Sequence, residues 1–374
     1  MSSSEIKKPW IEKFRRTTSS TIYLPEVDGL RFLAIFWVVV LMHTTHFIDE
    51  KFYSNKLIHS NYWRNFFMEG GYGVALFFMI SGFILSLPFA RHYLGLNEKW
   101  KPVSLKRYYL RRLTRLEPPY IIALIVFFIA YVFVLKQYSF NELLPHFFAS
   151  VIYSHIPIYG DFPWVLPVAW SLEIEVQFYL LAPLLCIIYK IKARYLRWSI
   201  FFVVICASGN LNYNSNYPNI LKFICLFACG MLTTDLYCHR TKFISSSGVC
   251  FLIGSVSFVA IWFIPGLTNA TGYVVKVFLL VVLFYTVLTN DRMKSIFSNR
   301  YFTIIGGMCY SIYLLHFGIL ALLGRLLQKT SINLSNAAYV PFYFILFISA
   351  ILLISGFYFL FVEKPFMRFN LRDR

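Results

Sequence analysis

The sequence predicts an all-α, polytopic integral membrane protein: a bundle of about ten transmembrane helices with both termini in the cytoplasm. Three observations predict it. Hydrophobic residues fill 58% of the 374 positions and charged residues only 14%, against roughly 45–50% and about 25% in soluble domains. Apolar runs of about 20 residues, enough to cross the hydrocarbon, recur along the chain. Lys and Arg fall mainly in alternate connections between those runs, the asymmetry left by the positive-inside rule.

The expected spans lie near 30–47, 70–90, 118–135, 168–189, 198–210, 219–237, 244–265, 273–289, 302–326 and 338–362. The stretch NELLPHFFASVIYSHIPIYG, 141–160, carries Pro145, Pro157 and two histidines, so it reads as an interfacial or partly inserted helix. The connection 91–117 reads as helical until Pro118-Pro119, which removes two backbone donors and should interrupt it. Lys7, Lys8, Lys13, Arg15 and Arg16 precede the first span, and Arg91, Lys99, Lys101, Lys106, Arg107, Arg111, Arg112 and Arg115 follow the second. Later connections on that side hold Lys190, Lys192, Arg194, Arg197, Arg240, Lys242, Arg292, Lys294 and Arg300, and the C-terminus adds Lys364, Arg368, Arg372 and Arg374. This places the basic side in the cytoplasm. The chain divides into a basic tail 1–22, a membrane domain 23–367 and a tail 368–374.

Topology and attraction to anionic lipid headgroups account for the net charge of +18, and no nucleic-acid partner is expected. The leader before the first span is polar and cationic with no small-residue cleavage site, so no signal peptide is expected. The seven cysteines are odd in number, lie mostly in spans and show no metal-ligand spacing. They read as reduced core residues, and no metal is expected.

Ionisable groups inside spans are costly and mark pathways or sites. The first cluster is Arg31, His43 and His46 in DGLRFLAIFWVVVLMHTTHF. His43 and His46 share a helix face. Arg31 sits about 18 Å away along an ideal helix and roughly 120° around it. A neutral imidazole there suits general-base work near neutrality; the alternative is a hydrogen bond between helices, with Arg31 as an interfacial anchor. The second cluster is AWSLEIEVQFYLLAP, in which Ser171, Glu175 and Tyr179 lie on one face and Glu173 and Gln177 on another. Two carboxylates on one apolar helix imply a wet cavity, a cationic partner or a polar network joining helices. In GGMCYSIYLLHFGIL, Gly306 and Gly307 allow close helix approach, while Tyr313 and His316 share a face and either line a cavity or hydrogen-bond a neighbour. Arg112 and Arg115, three apart in LRRLTRLEPPY, present two forks to the inner membrane surface. They could clamp phosphates or serve only as a topology signal.

Together LPEVDGLRFLAIFWVVVLMH, GGYGVALFFMISGFIL, LRRLTRLEPPY, AWSLEIEVQFYLLAPLL, SIYLLHFGIL and VEKPF resemble, in order, the landmarks of the acyltransferase-3 family of membrane O-acyltransferases. The resemblance covers Tyr23 to Phe366. It implies transfer of an acyl group, often acetyl, from cytoplasmic acyl-CoA to a hydroxyl of a carbohydrate or glycolipid acceptor on the other face of a bacterial cytoplasmic membrane. It puts the essential histidine at His43, with His46 as the other candidate, and the first-helix arginine at Arg31. Its paired loop arginines fall on Arg112 and Arg115, and its E-x-Q-F-Y core on Glu175, Gln177, Phe178 and Tyr179. Two departures stand out. Eleven residues, Phe32 to Met42, separate Arg31 from His43 where the family usually has ten, which calls for a π-bulge or a changed role for the arginine. The position after Glu175 is Val176 where many members carry a second carboxylate, with Glu173 as a stand-in. Some relatives append an extracytoplasmic hydrolase-like domain, and none is expected in this chain.

The mechanism this implies has Arg112, Arg115 and Arg31 holding the phosphates of acyl-CoA while the pantetheine arm enters the bundle. His43 would deprotonate the acceptor hydroxyl, Glu175 or Glu173 would orient the base or acceptor, and Tyr179, Tyr313 or His316 would donate to the oxyanion. The competing reading is a secondary transporter with intramembrane His and Glu as proton carriers.

Overall fold

The computed structural model describes residues 10–17, 23–53, 61–95, 103–214, 218–241, 243, 246–264, 270–328 and 339–369. Of the expected tails, 1–9, 18–22 and 370–374 lie outside the described residues, as do Lys99, Lys101 and Lys242. Among the described residues there is no β-strand. The helices are α1 (Pro25–Phe52), α2 (Trp63–Tyr93), α3 (Leu105–Val134), α4 (Phe140–Val151), α5 (His155–Tyr159), α6 (Pro167–Lys190) and α7 (Arg194–Asn214). They continue with α8 (Ile220–Cys238), α9 (Ser247–Phe263), α10 (Thr271–Thr289), α11 (Asp291–Phe297), α12 (Arg300–Gly307), α13 (Cys309–Gln328) and α14 (Val340–Met367).

Eight of these, α1, α2, α3, α6, α8, α10, α13 and α14, are long and apolar enough to cross a membrane. The other two expected spans, 198–210 and 244–265, form α7 and α9. With 17 residues, α9 reaches about 25 Å, short of the hydrocarbon thickness of about 30 Å; α7 is diluted by arginines at its start and asparagines at its end. The expected span 302–326 is divided. Its first part, α12, ends at Gly307, and a turn at Met308 leads into α13.

One expectation is overturned. Pro118-Pro119 does not interrupt the basic helix, which runs unbroken through both prolines. Neighbouring helices supply hydrogen bonds around the defect: the Tyr310 hydroxyl donates to the Leu116 carbonyl at 3.0 Å and the Tyr358 hydroxyl to that of Pro119. Inside a bundle, contacts with neighbouring helices make a helical proline tolerable. The interfacial reading of 141–160 agrees with α4, whose 12 residues are too few to cross. Ser139 and Glu142 open α4 with a capping box.

Packing concentrates in two apolar clusters, one around α2, α8 and α10 and one around α3, α13 and α14. Glycine permits close helix crossings. A Cβ on Gly82 would stand 2.3 Å from the Phe227 carbonyl oxygen, and one on Gly230 would stand 2.1 Å from that of Met79, so α2 and α8 approach to backbone contact. Large apolar side chains such as Val134, Leu184, Phe278, Ile345 and Phe361 point outward, the surface a lipid-immersed bundle requires.

Candidate functional site

The site begins with the helix that carries Arg31 and His43. From Phe36 to Thr44, α1 is wound as a π-helix. The Thr44 hydroxyl donates to the Val39 carbonyl at 2.7 Å and that of Thr45 to Val40 at 3.1 Å, each reaching back five residues. A π turn holds more residues than an α turn, so each residue rotates less about the axis. The eleven-residue interval is thereby absorbed, and His43 turns back towards the side that faces α13.

There the His43 ring stacks nearly parallel to that of His316, centroids 5.0 Å apart, with Phe317 edge-on at 5.9 Å. The His43 Nδ1 to His316 Nε2 distance is 2.7 Å. The proton positions follow from the neighbours. His316 Nδ1 lies 2.7 Å from the Tyr313 carbonyl oxygen and 3.2 Å from that of Ile312. Carbonyls only accept, so His316 Nδ1 carries a hydrogen and, in a neutral ring, Nε2 accepts. His43 Nδ1 must then be the donor, which leaves the lone pair of a neutral His43 on Nε2.

One turn from His316, a cavity of about 970 Å³, counting its open mouth, runs between α1, α2, α3, α6 and α13. Arg31, Arg112 and Arg115 line it together with Tyr179, Glu175, Ser171 and Tyr313. Tyr179 and Ser171 are eight residues apart on α6, so the path from the arginines to Ser171 is about 12 Å. Glu175, midway, accepts a hydrogen bond from Ser81 of α2. The Ser171 and Tyr313 hydroxyls lie 2.8 Å apart, and both reach the Val168 carbonyl, at 3.5 and 3.0 Å.

Several candidates from the sequence stand elsewhere. Glu173 does not line the cavity; its carboxylate accepts from the backbone N–H groups of His155 at 3.3 Å and Ile156 at 3.1 Å, capping α5. Gln177, on the opposite face from Glu175, is also outside the lining. His43 and His46 do not line the cavity either. His43 joins it through His316 and Tyr313, and His46 Nε2 is buried with no hydrogen-bond partner among the described residues. Sequence reasoning passed over Ser81, Cys309, Tyr310 and Asp28. The first three line the cavity, and Asp28 Oδ1 accepts from Arg31 at 2.5 Å. The spacing of Asp28 and Arg31, three apart on one helix, is the signal that could have found that pair. Among the described residues no group of His, Cys, Asp and Glu could hold a metal ion.

Fold and site together define a polytopic helical membrane protein with a cationic cavity and, one turn beyond its Tyr313 wall, a partly buried histidine pair. The chain belongs to the acyltransferase domain family, whose model matches residues 24–359. It is similar to the peptidoglycan O-acetyltransferase OatA of Listeria monocytogenes, 24% identical over 94% of this chain and 57% of that protein. It is also similar to the O-acetyltransferase OatA of Staphylococcus aureus, 24% identical over 80% of this chain and 51% of that protein. The chain thus spans about half the length of these curated relatives. No solved structure matches it.

Proposed function

We propose that the chain is a membrane O-acetyltransferase that moves an acetyl group from acyl-CoA to a hydroxyl of a carbohydrate or glycolipid acceptor, with His43 as general base. The observation that carries this reading is the single cavity linking three guanidiniums to the wall behind which the histidine pair sits. Coenzyme A is too highly charged to enter hydrocarbon, so its phosphates stay with Arg31, Arg112 and Arg115, at the end that the positive-inside rule makes cytoplasmic. The thin pantetheine arm extends past Tyr179 and Glu175 and brings the thioester to the level of Ser171.

His43 Nε2 then takes the acceptor O–H proton as that oxygen bonds to the thioester carbonyl carbon. The C–S bond breaks, the thiolate leaves, and the proton on His43 neutralises it, giving an ester and free thiol. His316 holds the base through Nδ1 and shares the positive charge while it lasts. General-base catalysis of this kind contributes roughly 10²–10⁴-fold. The peptidoglycan named for the Listeria relative is the first acceptor to try.

The test is release of free thiol from acetyl-CoA by the purified protein in detergent, with and without a glycan acceptor. Acceptor-dependent release that His43→Ala abolishes supports the reading; wild-type release by the alanine variant refutes His43 as the base. A proton-coupled transporter would release no thiol in the absence of a sealed compartment.

A further inference from the structure

The residues just before α1 carry a cation that the proposed chemistry has not used. Residues Trp10–Phe14 form a short 3-10 helix beneath α12 and the end of α14. Three contacts moor it. Glu12 pairs with Arg300 at 3.1 Å, Lys364 donates to the Lys13 carbonyl, and the Phe14 ring lies against Gly356. The mooring delivers Arg16 into the bundle with its side chain only 11% exposed. There Arg16 Nη1 shares Asp28 Oδ1, at 3.1 Å, with Arg31 Nη1.

We propose that Arg16 is a fourth guanidinium of the donor site, completing with Arg31, Arg112 and Arg115 a pocket for a ligand carrying at least two phosphate charges. This deepens the reading above and rests on it. The local charge balance is the first support. Among the described residues neither Arg112 nor Arg115 has a carboxylate within ion-pair distance, and Asp28 serves two arginines at one oxygen. Of the two other acids nearby, Glu363 already accepts from the Ser311 N–H at 3.2 Å and its hydroxyl at 2.5 Å, and Glu175 in the cavity wall already accepts from Ser81. The second support is unspent donors. The Nε groups of both Arg16 and Arg112 are buried without a hydrogen-bond partner among the described residues, and a buried guanidinium donor left unmet is costly unless a ligand fills it. Burial first, then the charges of Arg115 and Arg31, push the Arg16 pKa down to about 9; these cations are close enough to repel one another.

Four converging cations with one directly shared carboxylate select for phosphorylated carriers over uncharged thioesters. Phosphates on coenzyme A and phosphates of lipid headgroups share this chemistry, so the experiment separates them. Binding of coenzyme A, of phosphate-free pantetheine and of phosphatidylglycerol micelles is measured on the full chain in neutral detergent, for wild type, Arg16→Gln, Arg16→Lys and Arg112→Gln. Arg16→Gln is expected to weaken coenzyme A about tenfold, the worth of one charge-assisted contact. Pantetheine binding is expected to stay unchanged, and Arg16→Lys to recover part of the loss. Wild-type affinity in Arg16→Gln alongside a loss in Arg112→Gln would overturn the proposal while leaving the donor site intact. Equal loss for pantetheine, or Arg16-dependent binding of the lipid in place of coenzyme A, would also overturn it. Failure of the wild type to bind coenzyme A at all would instead remove the donor reading itself.

Discussion

His316→Leu isolates the hydrogen bond that the histidine pair contributes. In the native protein the Tyr313 and Ile312 carbonyls fix the Nδ1 hydrogen of His316, whose Nε2 in turn holds the Nδ1 hydrogen of His43 at 2.7 Å. Leucine fills similar space but accepts nothing, so the His43 Nδ1 donor is left unmet. The neutral ring then redistributes to the tautomer with hydrogen on Nε2, which leaves no lone pair at the nitrogen that faces the acceptor. An unmet buried donor costs about 1–3 kcal/mol. At 1.36 kcal/mol per decade of rate this is a fall of roughly 5- to 150-fold in turnover, smaller than the roughly 10²–10⁴-fold from removing the base. Initial rates of acceptor-dependent thiol release give kcat, and KM for acetyl-CoA is expected to stay put because the arginines are untouched. Combining His316→Leu with His43→Ala should cost no more than His43→Ala alone, since the first acts through the second. Wild-type turnover in His316→Leu, or full additivity in the double variant, would refute the tautomer argument.

Three further outcomes follow from other parts of the molecule. Arg112→Gln and Arg115→Gln should each raise KM for acetyl-CoA about tenfold and leave an acetylated phosphate-free pantetheine unaffected, as steady-state kinetics with the two donors would show. Gly306→Ala would place its Cβ 1.8 Å from the Asp28 carbonyl oxygen; this separates α12 from α1 and should cost about 1–3 kcal/mol of stability, read as a lower thermal midpoint and less folded protein. The segment 140–166 should loosen in acid. His146 and His155 are hydrogen-bonded at 2.8 Å, and burial holds both below the ordinary imidazole value of 6.5 despite Asp161 near each and Glu142 beside His146. Their stabilising contribution is complete above about pH 6.5 and is lost as pH falls towards their folded-state values. Hydrogen exchange corrected for intrinsic rates should be faster there at pH 5 than at pH 7.5, and His146→Phe should shrink the difference by removing one of the two titrating groups.

How much of this was legible in the sequence depends on the range of the interaction concerned. Apolar run length located eight spans because bilayer thickness is a one-dimensional constraint. The eleven-residue interval between Arg31 and His43 marked a helical irregularity, but only the neighbouring helix, through His316, shows what the π winding accomplishes. The proline pair after Arg115 misled because the helix around it is held by packing and by hydrogen bonds from Tyr310 and Tyr358, nearly 200 and 240 positions away. Glu173 looked like Glu175 by residue type and depth; its carboxylate caps α5, a partner no spacing rule announces. Arg16 was readable only as topology, since what distinguishes it from Arg15 is its burial beside Asp28.

In the proposed reaction a donor on the arginine face and an acceptor on the opposite face meet inside one bundle. Sealed vesicles with the arginine face outward, given labelled acetyl-CoA outside and a membrane-impermeant glycan acceptor inside, test it directly. Labelled ester on the enclosed glycan, lost in His43→Ala, is the predicted result; ester formed only when both substrates share a compartment would contradict it.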